Sequence, residues 1–435
     1  MEKATPKTRP SDDPMINHSK RRQVAERLPQ ELLEEIFAHE STADLKTLSL
    51  VCRAWTWSTR RYLFYAFRGL QKEVSSRVQR HFATDDDETR RNIDMFLDFL
   101  ATRPDIAQQY RMFDVGPRRI VDINYDNALA RCLDAMPNIR YLDTHLTTRP
   151  YSQALQDAIS RALRTSIRSL AMMQDVAAMP IVMQAIRDAH NLQKLRIALP
   201  SRFARMVQNE PMTGPRPLLR SLELATPSRE LPLWLLSPAS PVSLDALKEL
   251  AFHEITPYVS PVYRSLIDIV GRTIQVLTLA SLDQSFSIGS SLFPVLRVLR
   301  ICDMTLHGVQ ASDVAELLKQ LPLDPAPQLE EIEFAFVPAS ASFNEARAGL
   351  LARDGGPVAW REIQDHLASE DVKGLKKITI TILDQPYYPV RKVLRDLASN
   401  MPTRNIPAPE QQLASTKARL RELCPKLVDL GLLKV

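Results

Sequence analysis

The stretch Asn191-Leu192-Gln193-Lys194-Leu195-Arg196-Ile197 decides how the rest of this chain is read. Its apolar residues stand in an apolar-x-x-Leu-x-apolar frame. In an extended backbone successive side chains point to opposite faces, so Leu195 and Ile197 share one face while Lys194 and Arg196 occupy the other. A single strand of this length cannot bury its apolar side alone and needs neighbours of the same kind.

The frame recurs. It stands as NIRYLDT around Leu142, SIRSLAM around Leu170, LLRSLEL around Leu222, ALKELAF around Leu250, TIQVLTL around Leu277 and VLRVLRI around Leu299. QLEEIEF around Ile332, GLKKITI around Ile378 and KLVDLGL around Leu430 close the series. Spacings of 22–28 residues up to Leu299 match the period of leucine-rich repeats. They then widen to roughly 30–50, so the last turns carry insertions. Helix-like segments (151–163, 180–189 and 312–319) alternate with the strands. The fold class expected is α/β, an irregular leucine-rich-repeat-like solenoid with a curved parallel sheet inside and helices outside. An all-helical repeat array is the structural alternative. The Asn that a regular horseshoe carries after the last apolar position is missing; Pro200, Pro227, Ile255 and Leu282 stand there.

Composition sets the surroundings. The chain has 435 residues, enough for two or three units. Gly is scarce at 11 and Pro abundant at 31, which leans away from nucleotide-binding folds with glycine-rich phosphate turns. A formal charge of +5 is mild over this length. Cys52, Cys132, Cys302 and Cys424 form no CxxC pair and read as reduced, mostly buried structural thiols. The start of the chain lacks an apolar signal-peptide core, and no apolar run reaches membrane-spanning length. Cytosol or nucleus is the expected location, and Lys20-Arg21-Arg22 could serve import.

Residues 1–22 are polar, charged and Pro-rich and read as a disordered tail. From Val24 the texture changes. Leu28-Pro29 opens a helix with Leu32, Leu33, Ile36 and Phe37 on one face. Ser41 to Asp44 reads as a capping box. Leu45, Leu48 and Val51 follow, and then Trp55, Leu63 and Phe64. Three short helices in so few residues cannot bury all that surface, so they need either a partner or the adjoining domain as cover.

The stretch LPQELLEEIFAHESTADLKTLSLVCRAWTWSTRRYLF (28–64) resembles an F-box. Leu28-Pro29, Glu31 to Phe37, Asp44-Leu45 and Ser49 to Trp55 stand in that family's order. The longer resemblance, to the fungal-type leucine-rich-repeat F-box proteins, is looser. It implies an N-terminal three-helix F-box (23–68), a helical connector (69–115) carrying Ile93, Phe96, Leu97 and Leu100, and a solenoid (116–435). The connector begins with an acidic run, Asp85 to Glu88, read as a solvated turn.

The same resemblance implies a non-catalytic substrate receptor of a Skp–cullin–F-box ubiquitin ligase. Its partners are a Skp-type adaptor, a cullin reached through it, and an unnamed target protein. A scaffold with no degradative role is the alternative. The implied adaptor contacts are Leu28, Pro29, Leu32, Ile36, Leu45, Leu48, Val51 and Trp55, with Leu33 and Phe37 assigned to the small domain's own core. Arg53, Arg60 and Arg61 read as rim charges.

Residues between the apolar positions of the frame line the open face of the sheet. Tyr141, Asp143, Lys194, Arg196, Glu223, Glu249, Arg300, Glu331, Glu333 and Lys377 are the candidates for touching a target. Their mixed signs suit a protein rather than nucleic acid, which needs one sign with interleaved aromatics. No GxxxxGK[ST], GxGxxG, HExxH or GxSxG signature is present, His253-Glu254 is a lone pair, and Gly355-Gly356-Pro357 reads as a loop. No cofactor, metal or membrane partner is expected.

Overall fold

The computed structural model describes residues 37, 42–51, 55–56, 59–60, 63–64, 66–68, 86–115, 123–144, 151–173, 184–198, 215–225, 229–253, 260–280, 293–302, 311–320, 329–336, 356–368, 374–382, 418, 421–422 and 424–434. Within them twelve strands form one sheet: β1 (Ala66–Arg68), β2 (Met112–Asp114), β3 (Tyr141–Thr144), β4 (Ser169–Met173), β5 (Lys194–Ala198), β6 (Ser221–Leu224), β7 (Glu249–Phe252), β8 (Val276–Ala280), β9 (Val298–Cys302), β10 (Glu331–Phe336), β11 (Lys377–Ile382) and β12 (Leu433–Lys434). Their order in the sheet is their order in the chain, and every pairing is parallel. The result is a solenoid-like α/β fold, and it answers the alternation of strand and helix patterns in the sequence.

The register turns the repeated frame into rows. Phe113, Leu142, Leu170, Leu195, Leu222, Leu250, Leu277, Leu299, Ile332 and Ile378 pair in one continuous line. Each is at most 1% exposed. Three residues earlier a second buried row runs from Tyr110 and Ile139 through Ile274 to Leu375. Thr144 interrupts the third apolar row, and its hydroxyl donates to the Ala171 carbonyl 3.1 Å away on the next strand. A buried hydroxyl needs such a partner.

Helices α1 (Thr42–Leu48), α2 (Asp86–Thr102), α3 (Pro104–Ala107), α4 (Ile123–Ala135), α5 (Gln153–Thr165), α6 (Glu230–Leu236), α7 (Ser260–Val270), α8 (Ala311–Gln320), α9 (Gly356–Leu367) and α10 (Pro425–Asp429) intersperse the strands. Their apolar sides join the strand rows in one hydrophobic cluster, α1 excepted. Helices are also tied to one another by charge: Arg131 of α4 to Asp94 of α2 at 3.3 Å, Arg161 of α5 to Asp134 of α4 at 2.7 Å, and Lys319 of α8 to Glu362 of α9 at 3.0 Å.

Several expectations need correction. The sheet begins at Ala66, well before residue 116, because the supposed connector contributes β2 and α2 to the same core. That core is sealed at its start by aromatics: Phe67 stacks on Phe113 (4.8 Å between centroids) and on Phe96 (5.2 Å). Asp86, Asp87 and Glu88 open α2 and are not a turn, as suits carboxylates at a helix N-terminus. Gly356-Pro357 starts α9, where a proline costs least. KLVDLGL is no strand: its first residues lie in α10, Leu430 is exposed, and Gly431 turns the chain with φ 67° before β12. An αL glycine is the usual way to end a helix. Residues 1–22 and Pro200, Pro227, Ile255 and Leu282 lie outside the described residues.

Candidate interaction surfaces

The N-terminal unit builds its own small core. Asp44 in the first turn of α1 and Lys46 in the last oppose the helix dipole. Phe37 and Leu45 are buried together, with Leu48, Trp55 and Leu63 packed against them, and Phe37 meets Trp55 edge to face at 5.4 Å. The Thr59 hydroxyl donates to the Trp55 carbonyl at 2.7 Å and ties the segment carrying that indole. Leu45, Leu48 and Trp55, expected as adaptor contacts, therefore serve this core, Leu45 fully and the other two in part. Helical spacing marks an apolar stripe without saying which body covers it.

Val51, 44% exposed, is open, and beside it Leu50 is 85% exposed. Leu50 is off the amphipathic stripe of α1, so periodicity missed it; its place in the Ser49-to-Trp55 segment was the available signal. Leu28, Pro29, Leu32, Leu33, Ile36, Ser41, Cys52, Arg53 and Arg61 lie outside the described residues. Arg60 is turned toward the solenoid, 3.9 Å from Asp105, which Arg103 also holds at 2.6 Å.

On the sheet the candidate charges pair with one another. Arg196 lies 3.1 Å from Glu223, Arg300 lies 3.0 Å from Glu333, and Lys377 donates to Glu331 at 2.5 Å. Lys194 reaches past Ser221 to Glu249, two strands away, at 3.4 Å. Glu223 also touches the Nε2 of buried His253. Burial pushes the Glu223 carboxyl upward, but contact with His253 and the charges of His253, Arg196 and Lys194 outweigh it and leave it below its ordinary value. Glu331 is lowered chiefly by the hydrogen bond from Lys377. Tyr141 keeps 41% of its surface open, and Asp143 is half-buried.

A neighbouring row went unread in the sequence. The residue immediately before each strand from β2 to β11 is, in turn, Arg111, Arg140, Arg168, Gln193, Arg220, Lys248, Gln275, Arg297, Glu330 and Lys376. From Arg111 to Glu330 each carbonyl of this row accepts two N–H groups from the residues that open the next strand, as Arg140 does from Arg168 (2.8 Å) and Ser169 (2.9 Å). The backbone beneath the row is thereby pinned at every rung. The signal was visible as the Arg or Lys that stands two places before the central Leu in NIRYL, SIRSL, LLRSL, ALKEL and VLRVL.

Among the described residues no group of three or more His, Cys, Asp or Glu side chains is placed to hold a metal, and no helix is long and apolar enough to cross a membrane. Cys132, Cys302 and Cys424 are buried. With this geometry in view, residues 25–62 match the F-box-like family model. No curated protein matches the chain. The matched segment contains Phe37, α1, Leu50, Val51 and Trp55, all of the small core except Leu63.

Proposed function

We propose that this chain is the target-receptor subunit of a Skp–cullin–F-box ubiquitin ligase, acting in the cytosol or nucleus. The observation that carries the reading is an F-box-like segment that closes its own core and still holds Leu50 and Val51 open to solvent. F-box modules bind Skp-type adaptors through apolar side chains, and an uncovered apolar pair is what such a contact requires. Leu28, Pro29, Leu32 and Ile36 complete the contact in this reading, and Leu48 and Trp55 support it from below. The leucine-rich-repeat-like solenoid behind presents the target, and the chemistry of ubiquitin transfer belongs to the other subunits.

The test is capture of the full chain by a purified Skp-type adaptor. Leu50→Asp with Val51→Asp should abolish capture, while the thermal melt of the chain stays within a few degrees of the parent. Undiminished capture by that variant would overturn the assignment. Ubiquitination of a co-purifying protein, on adding cullin and its ring subunit, separates a degradative receptor from an inert scaffold.

A further inference from the structure

We infer that the row Arg140, Arg168, Arg220 and Lys248 is a docking strip for an extended acidic segment, rich in Asp and Glu, of a partner protein. All four side chains are exposed. None has an acidic partner among the described residues, whereas Arg297 and Lys376, further along the row, are both committed to Glu330 at 2.9 and 3.3 Å. These uncommitted cations therefore lie together between Arg140 and Lys248, ahead of Gln275. They stand as two adjacent pairs, Arg140 with Arg168 and Arg220 with Lys248, parted by Gln193.

Strand spacing converts this into a ligand pattern. Neighbouring rungs lie about 4.8 Å apart, so the pairs repeat every ~14 Å, which is about four residues of an extended chain. An acidic side chain on the near face of that segment, with another on the same face roughly four residues later, would meet both pairs. Guanidinium groups favour carboxylates because two parallel N–H donors match the two oxygens. A nucleic-acid backbone fits poorly: the adjoining positions carry Asp143, Glu223 and Glu249, and among the described residues Tyr141 is the only aromatic that follows one of these four cations in the chain. The inference rests on reading the solenoid as the target-binding part, but it does not depend on adaptor docking.

The experiment measures binding of the full chain to a fluorescent peptide with two Glu-Glu pairs set about four residues apart, alongside a matched peptide with Gln for Glu and a single-stranded oligonucleotide. The acidic peptide should bind with an affinity that falls as salt rises. Arg140→Ala, Arg168→Ala, Arg220→Ala and Lys248→Ala together should weaken it tenfold or more, with adaptor capture unchanged as the control for folding. Removing Arg264, Arg272, Arg361 and Arg421, which lie off the sheet, should leave it unaltered. Equal binding by the row variant and the parent, equal binding of the Gln peptide, or tighter binding of the oligonucleotide would each overturn the inference. Loss of adaptor capture with peptide binding intact would instead count against the ligase reading alone.

Discussion

Leu63 and Phe64, adjacent in the chain, belong to different hydrophobic cores. Leu63 packs against Phe37 and Leu45 in the N-terminal unit, while Phe64 packs into the solenoid, 6.1 Å from the Tyr110 ring and 6.4 Å from that of Phe99. The two bodies are thus coupled through one dipeptide, and the Arg60–Asp105 ion pair braces the same junction. Phe64→Ala should cost about 2 kcal/mol, less than a fully buried Phe because the ring is half-buried. It should also loosen the junction. Chemical denaturation and protease cutting between the units measure the two effects.

The central buried row makes a second prediction. Leu222 is fully buried, and its Cα neighbours in the row are Leu195 and Leu250. Leu222→Ala should destabilise the fold by roughly 2–5 kcal/mol. Ser221→Ala, one residue earlier and half-exposed, should stay within about 0.5 kcal/mol. Urea titration of both variants checks the contrast.

Acid should act partly through Glu223. Its folded-state carboxyl is held below its ordinary value, so its contribution is present above the unfolded pKa and is lost as pH falls through the folded one. Glu223→Gln should lower stability at neutral pH and flatten the decline below about pH 5. An equally steep acid limb in the variant would show that other carboxylates dominate it.

Alkali should act through groups that burial keeps neutral. Burial pushes the Cys132 and Cys424 thiols from 9.0 up to about 12, and the Tyr110 hydroxyl from 10.0 to about 12. Because these folded pKa values are raised, stability is full below the unfolded values and declines as pH rises from 9.0 toward 12. Below that window both thiols should resist a thiol reagent until denaturant is added. Rapid labelling of native Cys132 or Cys424, read by peptide mass, would contradict their burial.

Most of the sheet could be read from the sequence, because a leucine or isoleucine at the fourth frame position is a strong and periodic signal. Every rung from Leu142 to Ile378 answers to it. Two earlier rungs escaped because Phe67 and Phe113 fill that position, although QYRMFDV satisfies the frame with Tyr110 and Val115 on either side of Phe113. The last rung was misplaced because Leu427 and Leu430 imitate the frame while α10 and Gly431 take the chain elsewhere. The interaction surfaces were less legible. Spacing identified apolar side chains near the start without telling Leu45, turned inward, from Val51, left outside. The candidate charges were found, but their mutual neutralisation depends on neighbours a whole repeat apart in sequence, which no local pattern discloses.

Between β2 and β11 the lengths of chain between rungs differ widely, from Ala280 to Val298 at one extreme and from Phe336 to Lys377 at the other, yet each strand still lies beside the next. Pitch is therefore fixed by the doubly bonded carbonyls and is indifferent to what the intervening chain does. The molecule behaves as a ruler whose graduations are set by its backbone and whose markings are single side chains. A new specificity can then arise by exchanging one marking, or by grafting a fresh excursion between two graduations, without re-engineering the rest.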